Sequence, residues 1–455
     1  MRFRIGGLMV ESTTSKSLFS IKNPAFRAYA RSYDGIERDF MAAVRSFGLG
    51  FAEESEDVTH GKLSERVDAL EARGAYVEND RKSIHLNWIS PACITCRKGV
   101  GTETFLTSTQ CPRNCYFCFN PNQADYEYYL THVHDVAGEL RQRHAAGVKY
   151  RDLALTGGEP LLHADRTVAF FKRAAKLYPK AYTRLYTSGW RLDEALLSRL
   201  QSAGLSEIRF SVKLEESQAS IDEALAQMEM CVGHIPSVMV EMPVMPDQVD
   251  QMKELLVRLN AIGIQGINLL ELCFPMANAP EFAKRGYKIK AKPYRVLYNY
   301  VYAGGLPIDG SEAACIELLE FAADEGLSLG VHYCSLENKF SGQVYRQNSF
   351  IDVACPWHVM SERDYFLKSA KVFGRDVEPV GQVLHAMGER RMERNDDHRS
   401  LEFPLEVLPE LAETMPDIEV AVCYSIAEHR EQGDVLRELA VFKTTPATFD
   451  SQTDL

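Results

Sequence analysis

The spacing of strand-like segments constrains this chain more than any other feature. Such runs begin near Glu103 (ETFLTST), Asp152 (DLALTGG), Tyr182 (YTRLYTSG), Glu207 (EIRFSVK), Ser237 (SVMVEMPVM), Gly266 (GINLLELCF) and Leu327 (LSLGVHYC). From Asp152 to Gly266 the starts recur about every 25 to 30 residues, the length of a βα unit. That rhythm predicts a parallel sheet joined by right-handed crossovers. Helix signals fill the gaps. Val249, Met252, Leu255, Leu256, Leu259 and Ile262 follow a three–four spacing between Asp247, a natural N-cap, and Gly263, a natural C-cap. Similar stripes follow Asp165 and Asp193 and read as core. Several strand-like runs read as apolar on both faces, as in a parallel sheet covered by helices. Five or six such units can curve into a partial or complete barrel, an α/β fold with its chemistry at the C-terminal ends of the strands.

The interval after the first strand-like run is longer, and it holds Cys111-Pro112-Arg113-Asn114-Cys115-Tyr116-Phe117-Cys118. Three thiolates on one short loop can hold three irons of a [4Fe–4S] cluster and leave the fourth iron open. A zinc site favours four Cys or His ligands, usually from paired knuckles, and this loop has three cysteines and no histidine. Disulfides are disfavoured by an odd total of eleven cysteines. They are also disfavoured by an N-terminus, Met1-Arg2-Phe3-Arg4-Ile5, with no apolar signal region behind it. The second strand-like run closes on Thr156-Gly157-Gly158-Glu159-Pro160, where paired glycines let the backbone approach a neighbour or a ligand closely.

Together the C-x3-C-x2-C loop and the Gly157–Pro160 segment resemble the signature of the radical S-adenosylmethionine (SAM) superfamily, C-x3-C-x-aromatic-C followed by GGEP. The resemblance spans residues 100–275. It implies an open (β/α)6 barrel with Cys111, Cys115 and Cys118 ligating a [4Fe–4S] cluster, whose open iron chelates the amino and carboxylate groups of SAM. Reductive cleavage of SAM would give a 5′-deoxyadenosyl radical that takes hydrogen from a substrate C–H bond. The resemblance further implies that Gly157, Gly158 and Glu159 seat the SAM amino group and that Phe117 packs on the adenine. By the same likeness Ser188 meets the ribose or carboxylate, while Ser211 and Lys213 offer polar contacts. Gly263-Ile264-Gln265-Gly266 is similar to the family's adenine-binding segment. Glu241, on the fifth strand-like run, is expected to face the barrel interior. Reduced flavodoxin or ferredoxin is the implied electron donor.

The remaining cysteines suggest a second site. Cys93 and Cys96 form a C-x-x-C pair, Cys334 ends a strand-like run, and Cys355 precedes Pro356-Trp357. Four such thiolates suit zinc, iron or an auxiliary cluster. Isolated cysteines also serve as small core residues, the reading given to Cys231, Cys315 and Cys423. Ser335–Gln343 reads as a polar loop.

Three segments are expected: a mostly helical region over 1–90, the barrel with its extra cysteines over 91–355, and a small α+β appendage over 356–455. The helix-like stretches Pro24–Phe47 and Lys62–Gly74, with a hairpin turning at Asn79-Asp80, read as a winged-helix-like module. Fifty-one basic against 63 acidic residues give a formal charge of −12, which disfavours nucleic acid as a partner. No apolar run reaches membrane-spanning length, and reduced cysteines point to the cytoplasm. With its extra segments and spare cysteines the chain resembles radical SAM enzymes that modify peptides, which implies a peptide or protein side chain as substrate. A glycyl-radical-enzyme activase, small-molecule or cofactor biosynthesis, and a non-catalytic iron–sulfur or electron-transfer protein are the alternatives.

Overall fold

The computed structural model describes residues 11–12, 17–53, 56–298 and 305–455. The N-terminal pentapeptide read above lies outside them. The chain divides into two compact units, one of Gly48–Pro293 with Tyr300–Gly342, the other of Met1–Phe47, Tyr294–Asn299 and Gln343–Leu455. Residues 1–90 are therefore shared between the units, as are residues 91–355.

The larger unit is built on a nine-stranded sheet. Its strands are β1 (Tyr76–Glu78), β2 (Ser83–Leu86), β3 (Thr102–Leu106), β4 (Asp152–Thr156), β5 (Tyr182–Thr187), β6 (Glu207–Phe210), β7 (Ser237–Val244), β8 (Gly266–Glu271) and β9 (Gly330–Cys334). The order is β1-β2-β9-β8-β7-β6-β5-β4-β3. Strands β3 to β9 run parallel, and the β1–β2 hairpin adds antiparallel to β9. Six βα units in sequential order with a seventh parallel strand make an open, partial barrel. The hairpin thus extends this sheet, and the helix Pro24–Arg45 belongs to the other unit, so the two do not form a winged-helix module.

The connecting helices follow their local signals. Asp193 accepts from the Leu196 amide and caps Glu194–Ser202. The helix Val249–Ile262 ends at Gly263 in the left-handed conformation, φ 80°, which glycine adopts without steric cost. Its Met252, Leu255, Leu256 and Leu259 are buried in the core, with Leu153, Leu155, Leu185, Ile208, Val240, Ile267, Leu269 and Val331 from the strands.

Only one face of the sheet is apolar. The alternate residues Arg184, Tyr186, Glu207, Arg209, Glu241, Asn268 and His332 stand on the other face, which corrects the expectation of strands apolar on both sides. A barrel interior carrying chemistry is polar, whereas the face under the helices must be dry.

In the smaller unit the strands run in the order Glu11–Ser12, Gly433–Thr444, Val420–Arg430, Leu367–Phe373, Ser400–Phe403, Glu393–Asn395, all antiparallel. The helix Pro24–Arg45 starts at Asn23, whose side chain accepts from the Ala25 and Phe26 amides. Phe26 stacks on Phe373 at 5.2 Å, and Cys423 and Val441 are fully buried beneath. Leu405–Met415, helix-like in sequence, forms only the short turns Leu405–Val407 and Leu408–Leu411. Among the described residues no helix is long and apolar enough to cross a membrane.

Candidate functional site

The cysteine loop leaves the C-terminal end of β3, and the segment that leads into it is tied to the end of β4. Thr107 donates its amide to the Thr156 carbonyl at 2.8 Å, Gly158 to Ser108 at 2.7 Å and Glu159 to Gln110 at 2.8 Å. This explains the paired glycines. A Cβ on Gly157, at φ 151°, would stand 2.6 Å from the Ser108 carbonyl oxygen, and one on Gly158 would overlap that of Gln110. The two backbones can lie this close only with hydrogen at both positions.

Inside the loop, Cys118 donates its amide to the Cys115 carbonyl at 3.1 Å. Asn278, just after β8, donates to the carbonyls of Tyr116 (2.7 Å) and Cys118 (3.0 Å). Tyr116 is buried between Phe282, at 5.2 Å, and the Arg285 guanidinium, 3.8 Å above its ring. Phe117 packs edge-on against Tyr116 and stays half-buried. The loop is therefore held by backbone and aromatic contacts, which leaves the cysteine thiols free.

Burial raises the Cys111 and Cys118 thiols. Both also feel the Cys115 thiol, which raises them further, and the Lys213 ammonium, which lowers them. Three thiols within electrostatic reach of one another need a shared cation to ionise together, the situation that iron supplies. Among the described residues no three His, Cys, Asp or Glu converge on a point that one metal ion could fill. A single ion requires ligands at about 2.3 Å, whereas a four-iron cluster requires thiols spread around a larger body. The donor set and its spacing fit the cluster.

Beside the loop lies a cleft of about 380 Å³, lined among others by Arg113, Ser188, Trp190 and Glu216. An ion pair between Arg113 and Glu216 borders it. Ser211 donates its amide to Thr187 at 3.0 Å, so the ends of β5 and β6 stay paired here.

Glu159 behaves differently from the expectation that its carboxylate meets the ligand. It is 1% exposed, and both oxygens are doubly engaged. One accepts from the Leu161 amide (3.0 Å) and the Thr187 hydroxyl (2.7 Å), the other from the amide (2.7 Å) and hydroxyl (2.6 Å) of Ser188. Glu159 therefore locks the end of β5 to that of β4. Gly263–Gly266 leads into the sixth parallel strand, as the sequence places it. It lies at the N-terminal end of the inner strand β8, whereas the cysteine loop leaves the C-terminal end of β3, and a Cβ on Gly266 would stand 2.7 Å from the Gly330 carbonyl oxygen. Its glycines serve a helix cap and close strand packing. Beyond Ser335, the segment Leu336–Gln343 is helical, part of Leu336–Phe350, and not a loop.

The second set of cysteines is partly gathered. Cys93 and Cys96 lie on the short helix Pro91–Cys96, which Ser90 caps and which rests on the polar face of the sheet. Ser90 donates to Glu207 at 2.6 Å and accepts from Arg209 at 3.0 Å, and Asn268 donates to the Cys93 sulfur at 3.2 Å. The segment before β3 thus turns into the barrel. Cys334 accepts from Asn338 at 3.2 Å, and its thiol feels both Cys93 and Cys96. Cys355 belongs to the smaller unit, where its amide donates to His358 at 3.3 Å. Cys231 and Cys315 are fully buried in helices.

Sequence reasoning passed over the charged network of the polar face. Arg209 donates to Glu207 at 2.5 Å and pairs with Glu241, which accepts from Asn268 at 2.7 Å. His332 bonds Asn268 at 2.8 Å and Ser83 at 3.0 Å. The signal was present, since Arg184, Tyr186 and Ser188, like Glu207, Arg209 and Ser211, fall at every second position.

Comparison with known proteins bears on this arrangement. Residues 105–259 match the family model of the radical SAM superfamily. A protein of Methanocaldococcus jannaschii, provisionally named a glycyl-radical enzyme activating enzyme, is 27% identical over 326 residues, covering 68% of this chain and 81% of that protein. The PqqA peptide cyclase of Granulibacter bethesdensis is 31% identical over 109 residues, 22% of this chain and 26% of the cyclase. Among solved structures, Streptococcus suis SuiB bound to precursor peptide SuiA aligns with TM-score 0.32 and 13% identity, over 54% of this chain and 53% of SuiB. The chain thus spans most of the first relative and about half or less of the others.

Proposed function

We propose, for a chain that belongs to the radical SAM superfamily through its residues 105–259, that the loop of Cys111, Cys115 and Cys118 holds a [4Fe–4S] cluster and that SAM binds beside it. Bound together, the cluster and SAM supply a one-electron cleavage that yields a 5′-deoxyadenosyl radical able to take hydrogen from an unactivated C–H bond. The observation that carries the reading is the seam between Ser108–Gln110 and Gly158–Glu159, which brings three free thiols and the glycine pair to one end of the parallel sheet. The chain's own residues bind and orient. Gly157 and Gly158 keep the backbone close enough to aim the cysteine loop. Glu159 holds Ser188 at the rim, Lys213 adds positive charge beside the thiols, and Phe117 offers a flat apolar surface for an adenine.

The substrate that fits best is a polypeptide. A relative named as a peptide cyclase and one named as an activating enzyme of a glycyl-radical enzyme both support that reading, since each name points to a chain of amino acids. Coverage of 81% of the relative named as an activating enzyme favours activation of a partner enzyme as the alternative within this class. The electron would come from reduced flavodoxin or ferredoxin. The test is anaerobic reconstitution with iron and sulfide, then addition of SAM and dithionite. We expect 5′-deoxyadenosine, together with about four irons per chain. A fully loaded cluster that forms none would leave an iron–sulfur protein without radical chemistry and overturn the proposal.

A further inference from the structure

Two arginines stand side by side on the polar face of the barrel, and their surroundings differ. Arg209, on β6, is 2% exposed and is paired with Glu207 and Glu241. Arg184, on the adjacent β5, is 5% exposed, and among the described residues it makes no hydrogen bond and no ion pair. Its Nε is buried without a partner. Its guanidinium sits 5.8 Å from the centre of the Tyr186 ring. Asp152 and Glu241 act on it only from a distance, and a buried guanidinium with an unfilled donor is costly, so proteins retain one where a ligand supplies the acceptor.

The neighbourhood leaves room for that ligand. Next to Arg184 on β4 is Ala154, which is fully buried and gives the guanidinium no acceptor. Cys96, at the end of the short helix, is exposed, yet the charged groups acting on its thiol are Arg184, Glu241 and Arg209, all from the polar face. An exposed sulfur surrounded by groups of the barrel interior opens into that interior. Tyr186 is likewise only half-buried, with its ring between the two guanidinium groups. Arg184 lies four residues before Ser188, about 13 Å along the strand from the rim, and is therefore separate from the groups placed around SAM.

We propose that Arg184 anchors an anion subsite at the inner end of the barrel and takes a carboxylate of the substrate there, beside Tyr186 and Cys96. Its identity as a substrate subsite rests on the function proposed above. A guanidinium accepts either a carboxylate or a phosphate in its planar fork. The surroundings choose between them, because Glu207, Glu241 and Asp152 already share the same face. A singly charged carboxylate fills the Arg184 fork with the smaller added negative charge, whereas a dianion meets stronger repulsion. For a polypeptide substrate the group is an Asp or Glu side chain or the terminal carboxylate.

The test uses Cys96 as a reporter in the full-length, reconstituted protein. Protein freed of added thiol reductant is alkylated with iodoacetate or iodoacetamide, and the product at Cys96 is quantified by mass spectrometry. Both reagents need the same thiolate, so the ratio of their rates cancels changes in its acidity and reports the pull on the reagent's carboxylate. We expect the ratio to fall on the order of tenfold in Arg184→Gln, the effect of losing one charge-assisted hydrogen bond. Arg184→Lys should lie between. An unchanged ratio in folded Arg184→Gln overturns the proposal. A second arm needs no variant: acetate should protect wild-type Cys96 from iodoacetamide in a saturable way. Protection by inorganic phosphate but not acetate, or by neither, also overturns it. No arm involves SAM cleavage, so loss of the proposed reaction and loss of this subsite are separate results.

Discussion

Single residues here carry unequal burdens that composition hides. Arg184 and Arg209 are the same residue type, both nearly fully buried, one partnered by two carboxylates and the other by none. Breaking a buried pair strands the remaining charges and costs about 3 to 5 kcal/mol, whereas removing an unpaired charge relieves a penalty. Arg209→Met should therefore lower the thermal midpoint steeply. Arg184→Met should leave it unchanged or raise it. Calorimetry on both variants checks this, and equal losses would mean that Arg184 has a structural counter-charge. Glu159 teaches a related lesson. A carboxylate in the right motif is read as a ligand group, but its hydrogen bonds to Leu161, Thr187 and Ser188 show it tying strand ends.

At the scale of elements, the polar face is stitched across strands. His332 on β9, Asn268 on β8, Glu241 on β7 and Arg209 on β6 form one chain of hydrogen bonds. Burial lowers the His332 imidazole from 6.5 to about 3. A group depressed on folding binds fewer protons when folded than when unfolded, so its contribution is complete above about pH 6.5 and is lost as pH falls toward 3. The unfolding free energy of wild type, from denaturant titrations, should drop more steeply between pH 7 and 4 than that of His332→Asn, by up to about 1.4 kcal/mol per pH unit. Parallel curves would contradict it. The strand starts were legible because βα units repeat, and observed strands begin at Asp152, Tyr182, Glu207, Ser237 and Gly266 as expected. Which face each side chain served was less legible. Short strands such as Glu207–Phe210 show only two residues per face.

For the molecule as a whole, cofactor binding and stability are linked, because anything that binds the folded chain alone stabilises it. SAM at about a hundred times its dissociation constant should stabilise the reconstituted protein by about 2.7 kcal/mol. Cys118→Ala should lose that shift together with its cluster, read as iron per chain and as the change in thermal midpoint. A shift that persists without iron would place SAM away from the cysteine loop.

What the amino-acid order determined alone is local. A repeat of about thirty residues is a βα unit wherever it occurs, three cysteines on eight residues must share one loop, and paired glycines mark a close approach. Tertiary structure decided what depends on partners distant in sequence. It joined the helix Pro24–Arg45 to strands some 350 or more residues later, through Phe26 on Phe373 and Asn23 on Glu419. It turned the Cys93–Cys96 helix onto the polar face, and left Arg184 without an ion-pair contact while giving Arg209 two. Pairing of charges depends on geometry between strands, and no spacing along one strand encodes it.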